Sequence, residues 1–442
     1  MESALNTGDT AWILTSAALV LLMIPGLALF YGGMVRGKSV LNMLMMVIGA
    51  LFIVGVLWMF IGYSMAFGYS YGNAGLLGNV TEFFALEGLM ANNPEAIYPA
   101  MAFVAFQAMF ACLTVGLIAG AVPDRMKYSA WMIFAAVWAV LVYFPVAHWV
   151  FNFGVGAVPA DGGGWLTKLG VIDFAGGTAV HINAGAAALA LAIVVGRRLG
   201  WPRTPMRPHN LTLVMLGAAL LWFGWFGFNA GSAVAANNTA GVVFLNTFVA
   251  TCGAGLAWLI VETMRDGKAT SLGAASGIVA GLVAITPACS AVSPVGALII
   301  GLLAGAICSA AIGLKYRLRY DDSLDVVAVH LVGGLVGTLL IGLLATEAAP
   351  AGVNGLFYGG GVDQLSKQAI GAFSVLGYSL IVTFVIALII RAIIGVRASE
   401  ENEVSGIDLA EHAESAYELG DSGAGGFAGI GHGSSGTGGG KS

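Results

Sequence analysis

Long apolar stretches, separated by short polar or charged segments, follow one another along most of this 442-residue chain. A helix of about 20 apolar residues is long enough to cross a hydrocarbon core of about 30 Å. The pattern predicts an all-α polytopic membrane protein with eleven transmembrane helices. The predicted spans are 11–34, 40–67, 99–121, 128–148, 177–196, 210–229, 239–263, 271–286, 293–314, 326–346 and 370–396.

The composition supports this interpretation. Hydrophobic residues make up 58% of the chain and charged residues only 9%, against about 25% charged in soluble domains. The 65 glycines suit lipid, where small residues let helix backbones approach closely. The four cysteines form no CxxC pair, and no GxxxxGK[ST] loop occurs, so we expect no metal site, no cofactor, no ATP-driven transport and no enzyme activity. The mild net charge of −5 gives no reason to expect nucleic-acid binding.

The basic residues are distributed unevenly between the two sets of loops. Only Lys168 and Lys367 fall in one set. Because cytoplasmic loops are enriched in Lys and Arg, an odd number of spans then predicts an N-terminus outside and a C-terminus in the cytoplasm. The sixteen residues on the predicted cytoplasmic side are Arg36, Lys38, Arg125, Lys127, Arg197, Arg198, Arg203, Arg207, Arg265, Lys268, Lys315, Arg317, Arg319, Arg391, Arg397 and Lys441.

A weak internal repeat links the fifth and tenth spans. The sequence Ala-Val-His occurs in both, as Ala179–His181 and Ala328–His330, and each copy follows an aspartate, Asp173 or Asp325. A unit of five helices must be inverted in its second copy, with the eleventh helix outside the symmetry. Inverted repeats in transporters place the substrate site near the midplane.

Two of the six histidines, His181 and His330, lie inside predicted spans. An ionisable residue in a span is unfavourable and usually faces a pore or a partner. Desolvation favours the neutral imidazole, which offers one donor and one acceptor nitrogen. From position alone each histidine could instead hydrogen-bond a facing helix, but equivalent positions in two repeats favour a shared pore.

An aromatic segment, Trp222–Ser232, closes the sixth span on the predicted outer side. Aromatic residues often form belts at membrane interfaces, and spacing alone favours that interpretation. The alternative is a cation site, because aromatic faces attract cations and the Ser232 hydroxyl can accept a hydrogen bond from one.

Two aspartates precede the histidine spans. Asp173, at the outer start of the fifth span, could cap helix N–H groups or raise the local cation concentration below an outer vestibule, and the two roles are compatible. Asp325, which opens the tenth span on the basic side, is expected to act as a helix cap.

Longer motifs resemble a known family. The segments Asp173–Asn183 (DFAGGTAVHIN) and Gly224–Ser232 (GWFGFNAGS) look like signatures of the Amt/MEP/Rh ammonium transporters, on the Amt side. The similarity extends from the first span to about Tyr417. Further segments that follow in family order are Phe106–Ala111, Thr114–Leu117, Ile285–Cys289 and Asp325–His330.

The resemblance implies a homotrimer in the plasma membrane, with one pore in every subunit. A hydrogen-bonded histidine pair matching His181 and His330 would line the middle of each pore. Trp225 matches a tryptophan that flanks it, and Asp173 matches an aspartate that shapes the outer recruitment site.

The resemblance also implies a route into the pore. Ammonium would be recruited at a site matching Phe110, Phe151 and Ser232, pass a gate of stacked rings matching Phe110 and Phe228, and lose its proton before or within the lumen. The family usually has tryptophan at the position of Phe151. Because phenylalanine attracts cations less strongly than indole, we expect weaker or less selective recruitment unless Trp149 substitutes.

We divide the chain into a transporter domain (1–397), an acidic cytoplasmic tail (398–419) and a Gly/Ser-rich segment (420–442) that we expect to be disordered. The tail resembles the regulatory segment of the family, which implies docking on the basic loops and a PII-type signalling partner. The alternative function is an ammonium sensor that binds its ligand without large flux. Such sensors generally need an output domain, and no kinase-like or nucleotide-binding pattern follows the last span.

Overall fold

The computed structural model describes residues 5–91, 93, 96–154 and 162–417, and the named elements within these ranges are all helices. Ten helices are long and apolar enough to cross a membrane, and a shorter apolar helix of 15 residues lies where the eighth span is predicted. The helices are α1 (Thr7–Met34), α2 (Val40–Phe67), α3 (Ala100–Ala121), α4 (Tyr128–Phe151), α5 (Gly177–Val195), α6 (Leu211–Gly231), α7 (Asn238–Asp266), α8 (Ser271–Ile285), α9 (Pro294–Leu318), α10 (Val327–Leu344), α11 (Asp363–Ile393), α12 (Glu400–Ser405) and α13 (Ile407–His412).

The multi-pass helical architecture is therefore confirmed, whereas the count of eleven spans, the inverted repeat and the orientation stay predictions. Several helices begin earlier than their apolar windows. α1 starts at Thr7 because Asn6 caps it, accepting a hydrogen bond from Asp9 N at 3.1 Å. α11 starts at Asp363, seven residues before the predicted 370. Polar residues in a first helical turn satisfy the unpaired backbone N–H groups. Because these residues are not apolar, a hydropathy pattern places the start of the helix too late.

Glycines bring the helices into direct backbone contact. A Cβ atom on Gly217 of α6 would lie 2.3 Å from the backbone nitrogen of Phe30 in α1. A Cβ atom on Gly301 of α9 would lie 2.1 Å from the carbonyl oxygen of Ala250 in α7. Within lipid, burial of apolar surface does not drive helix association. Close packing of this kind is therefore what stabilises the contacts between membrane helices.

A buried ionic network closes the end of the bundle that carries the basic loops, which we call the basic end. Arg198 lies 2.8 Å from Asp321 and 3.4 Å from Asp124, and neither aspartate side chain is exposed. Arg125 is fully buried and donates to the backbone carbonyl of Asp321 at 2.5 Å and to that of Ala121 at 3.1 Å. The loops at this end are thus fixed to one another by charge-assisted hydrogen bonds.

The tail, residues 398–417, packs against the basic end through α12 and α13. Glu403 is 1% exposed and accepts hydrogen bonds from Leu199 N at 2.6 Å and Arg397 Nη2 at 2.5 Å. The carboxylate of Asp408 accepts two backbone N–H groups at the start of α2, at 2.7 and 3.1 Å. The predicted Gly/Ser-rich segment lies outside the described residues.

Candidate functional site

The helices α5 and α10 both begin with π-helical turns, Gly177–Ile182 and Val327–Val332. In the first turn, His181 N donates to Gly176 O at 3.0 Å, five residues back. Such turns are rare and occur frequently at functional sites. Each turn carries one histidine, so the two predicted pore residues lie in backbone segments of the same unusual type.

The two histidines are in direct contact. His181 Nδ1 and His330 Nδ1 are 3.2 Å apart, and the two rings are inclined by 29°. Their side chains are buried, with exposures of 0% and 3%. Because one nitrogen must donate and the other accept, two neutral rings in this contact have opposite tautomers. A proton shift in one ring therefore requires a matching change in the other.

Glycines allow the two histidine helices to cross closely. A Cβ atom on Gly185 would lie 2.4 Å from Leu331 N, and one on Gly334 would lie 3.0 Å from the carbonyl oxygen of Gly177. Each glycine comes four residues after the histidine of its own helix. Larger residues at these positions would separate the helices and the rings.

Asp173 caps the start of α5. Its carboxylate accepts backbone N–H groups from Gly176 at 2.8 Å, Gly177 at 2.5 Å, Thr178 at 2.8 Å and Ala179 at 3.1 Å. The Thr178 hydroxyl also donates to it. Four otherwise unpaired helix donors are thus satisfied by one buried side chain, which fixes the turn that holds the first histidine. The effect of its charge on an incoming cation stays a prediction.

The prediction that Asp325 caps α10 is wrong. Asp325 has a left-handed backbone conformation (φ 61°), and its carboxylate pairs with Lys315 Nζ at 2.6 Å. The side chain that accepts the first N–H of α10 is Asp322, with Oδ2 at 2.7 Å from Val327 N. Asp322 comes eight residues before its histidine, which is the spacing found in α5. The sequence repeat paired Asp173 with Asp325, the aspartate nearest to His330. In the structure, however, the N–H of Val327 points to Asp322.

Stacked aromatic rings extend from the histidine pair toward the opposite end of the bundle. Phe228 lies 6.0 Å from His181, and Phe110 stacks on Phe228 with centroids 4.2 Å apart and an angle of 23°. Phe151 meets Phe110 edge to face at 6.4 Å. The two stacked phenyl rings thus lie between Phe151 and the histidine pair.

Ser232 lies one turn beyond Phe228 at the C-cap of α6. Its hydroxyl donates to the carbonyl oxygen of Phe228 at 2.8 Å. With the hydroxyl proton committed, its lone pairs remain available to accept a hydrogen bond from a cationic N–H group.

Trp225 is fixed beside the histidines by a polar chain that the sequence analysis missed. Its ring stacks on His181 at 5.4 Å, and its Nε1–H donates to Thr286 Oγ1 at 2.8 Å. Thr286 Oγ1 lies 3.2 Å from Asn229 Oδ1, and Asn229 Nδ2 donates to Thr247 Oγ1 at 3.0 Å. The chain of hydrogen bonds joins α6, α7 and α8 beside the histidine pair.

Trp149 does not stand in for a tryptophan at the position of Phe151. Its Nε1–H donates to the carbonyl oxygen of Leu76 at 2.7 Å. Its ring packs against Trp165 at 5.8 Å and Tyr378 at 4.8 Å. The indole is therefore engaged elsewhere. Among the described residues, the rings in contact with Phe110 are those of Phe106, Phe151 and Phe228.

A narrow apolar cavity of about 10 Å³, enough for about one water-sized molecule, adjoins His330 on the side of the basic end. The lining is apolar apart from the imidazole of His330 and the indole of Trp225. A narrow apolar space of this kind favours neutral molecules over ions. The cavity is lined by Met23, Leu27, Phe30, Leu113, Leu117, Leu221, Trp225, Val279 and His330.

Comparison of the sequence with known proteins identifies a family. The model of the Ammonium Transporter Family matches residues 11–417. An ammonium transporter of Mycobacterium tuberculosis is 61% identical over 435 residues, covering 93% of this chain and 90% of that protein. An ammonium transporter of Aquifex aeolicus is 46% identical over 420 residues, covering 95% of each.

Solved structures agree. One named Sensor Amt Protein superposes with a TM-score of 0.84 at 30% identity, covering 92% of this chain and 98% of that chain. Mep2 of Saccharomyces cerevisiae superposes with a TM-score of 0.79 at 35% identity, covering 90% and 91%. The protein is thus a multi-pass protein of the cell membrane, and it belongs to the ammonium transporter family.

Proposed function

We propose that the chain moves ammonium across the cell membrane along one path through its bundle. The path starts at Ser232 and Phe151, passes the ring pair Phe110 and Phe228, and enters the lumen at the histidine pair. The observation that carries the proposal is the buried 3.2 Å contact between the two histidine Nδ1 atoms, next to an apolar cavity.

Selectivity follows from the chemistry of this lumen. Ammonium and potassium are similar in size, so a simple cation site would conduct both. A bare charge in an apolar space is strongly unfavourable, whereas ammonia can cross after ammonium gives up its proton. Two imidazoles that share one hydrogen bond can bind the amine and pass the proton on separately.

Recruitment at the outer end relies on weak, convergent contacts. The ring faces of Phe110 and Phe151 attract a cation, and the free lone pairs of Ser232 accept one of its hydrogen bonds. Asp173 lies below them as a fixed negative charge. From this site the cation passes the phenyl rings and loses its proton before or within the lumen.

Two assembly features complete the proposal. We propose a homotrimer with a pore in each subunit, which native mass spectrometry of the detergent-solubilised protein would test. We also propose that a PII-type signalling protein binds the basic end. The contacts of Glu403 and Asp408 hold the tail against the basic end, so a partner that binds this end would meet the tail as well.

Solid-supported-membrane electrophysiology on liposomes tests the function. An ammonium pulse should give a sustained current with the wild type, no current should follow a potassium pulse, and His181→Ala combined with His330→Ala should abolish or alter the response. His412→Ala serves as the control, because that ring lies in the tail against Tyr128, with centroids 5.0 Å apart. A brief binding transient alone would favour the sensor.

A further inference from the structure

Asp322 is a buried carboxylate at the basic end that has no part in the proposed path. It is 1% exposed, and its Oδ2 accepts the N–H of Val327, the first residue of α10. Its Oδ1 has no hydrogen-bond partner among the described residues. Burial of a carboxylate with an unpaired oxygen is energetically unfavourable, so the position of Asp322 requires an explanation.

The loop that carries Asp322 is anchored to the neighbouring helices. Leu324 N donates to the carbonyl oxygen of Gly120 at 3.0 Å, and Lys315 Nζ donates to the carbonyl oxygen of Asp322 itself at 3.1 Å. Arg125 holds the preceding residue through its carbonyl oxygen at 2.5 Å. The carboxylate is therefore presented to α10 from a fixed base.

We propose that Asp322 is a positioning residue for transport: by capping the π-helical turn of α10 from this base, it holds His330 in contact with His181. The inference rests on the proposed function, because it concerns the geometry of the same pore. Asp173 does the equivalent for α5, at the same eight-residue distance from its histidine. Each half of the histidine pair thus has its own carboxylate, and the two carboxylates lie at opposite ends of the bundle.

An uncharged replacement of Asp322 can separate the effect of its hydrogen bond from the effect of its charge. Burial and the neighbouring Asp325 raise the pKa of the Asp322 carboxyl to about 7, while the Lys315 ammonium opposes this shift. An amide at this position keeps an oxygen that can accept the Val327 N–H. Asp322→Asn should therefore preserve the cap, and Asp322→Ala should remove it.

The test measures saturating ammonium current and half-saturating ammonium concentration in liposomes. Asp322→Ala should lower the saturating current by about tenfold or more, since a small misplacement of a reacting group has large effects on rate. Its half-saturating concentration should stay within about twofold, because recruitment occurs at the other end of the bundle. Asp322→Asn should keep at least about a third of the wild-type current.

Asp325→Asn is the matched control. It removes the same charge three residues away, on a side chain that pairs with Lys315, and asparagine accepts a left-handed backbone readily. It should retain nearly all of the saturating current. If Asp322→Ala is not recovered folded, Asp322→Ser, with its shorter acceptor, must show the same selective loss of saturating current.

A double-mutant cycle with His330→Ala separates positioning from general stability. If Asp322 acts through His330, the double variant should be no slower than His330→Ala alone. Additive losses, equal losses for the Asn and Ala variants, or an unchanged Ala variant would overturn the inference. Absence of any wild-type current would instead reject the proposed function, so the two failures are distinguishable.

Discussion

The indole of Trp225 lies nearly parallel to the imidazole of His181, with centroids 5.4 Å apart and an angle of 22°. The same indole donates its N–H to Thr286 at 2.8 Å, at the C-cap of the short helix α8. Although α8 has only 15 residues, it therefore has a specific place in the site. It fixes the ring that packs against His181.

Replacing Trp225 by phenylalanine should lower the saturating ammonium current by about tenfold, because His181 loses the fixed surface behind its ring. The Thr286 hydroxyl also loses its donor. The measurement is the same electrophysiological assay, with the variant compared at equal protein density in the liposomes.

Trp222→Phe is the control for this prediction. Trp222 lies on the same helix, but its ring stacks on Phe248 at 6.0 Å and its buried Nε1 has no hydrogen-bond partner among the described residues. This variant should conduct like the wild type. Equal losses in both variants would mean that any tryptophan on α6 matters and that the stacking on the histidine does not.

Phe151→Trp should strengthen ammonium recruitment. Indole attracts cations more strongly than phenyl, and a gain of about 0.5–1 kcal/mol corresponds to a half-saturating concentration about twofold to fivefold lower. The saturating current should change little, because the new ring acts before the gate. An unchanged half-saturating concentration would contradict the recruitment role of this position.

Trp149→Phe tests the alternative that the neighbouring tryptophan supplies the missing ring. Its indole is held by the carbonyl oxygen of Leu76 and packs on Tyr378. We expect lower thermal stability from the lost hydrogen bond and no change in half-saturating concentration. A weaker apparent affinity in this variant would show that Trp149 does reach the cation.

The sequence was sufficient for the membrane helices and for the two histidines. Apolar length predicts a span directly, and an ionisable side chain within a span is conspicuous. The helix ends were less accessible, since the polar first turn of α11 at Asp363 resembles a loop. The family resemblance supplied the predicted roles of Phe110 and Ser232, whereas spacing alone favoured an aromatic belt for the segment Trp222–Ser232.

Other parts of the site depend on contacts between distant segments. The π-helical turns have no compositional signal. The sequence favours Asp322 over Asp325 as the cap only through its eight-residue distance to the histidine, which matches the distance from Asp173 to His181. The hydrogen bond from Trp225 to Thr286 joins residues 61 positions apart. Only the packing of α6 against α8 brings these two side chains together.

Glu403→Gln should loosen the tail without unfolding the bundle. The buried carboxylate accepts hydrogen bonds from Leu199 N and from Arg397, and hydrogen bonds to charged groups contribute about 1.5–3 kcal/mol each. Because Arg397 is partly exposed, solvent screening reduces the contribution of that pair. Hydrogen exchange across residues 399–417 should become faster, with the membrane helices unchanged.

Glu401→Gln is the control for the tail, because Glu401 lies on the exposed side of the same short helix. It should exchange like the wild type. Unchanged protection in the Glu403 variant would mean that α13, with Asp408 on the start of α2, is sufficient to hold the tail.

The contact between α8 and α10 should be intolerant of any side chain at Gly337. A Cβ atom there would lie 1.9 Å from the backbone carbonyl oxygen of Ala284, which cannot move without displacing α8. Overpacking of this kind costs about 1–3 kcal/mol. In detergent, Gly337→Ala should therefore unfold at a lower temperature than the wild type and give less folded protein.

Gly377→Ala provides the matched comparison, since no atom lies within 4 Å of its added Cβ atom on α11. There the substitution should be neutral or slightly stabilising, because alanine has less conformational freedom to lose than glycine. The difference between the two variants isolates the steric effect at the helix crossing from the general preference for alanine in helices. If Gly337→Ala keeps wild-type stability but loses ammonium current, the close approach of α8 and α10 serves the geometry of the pore and contributes little to the stability of the fold.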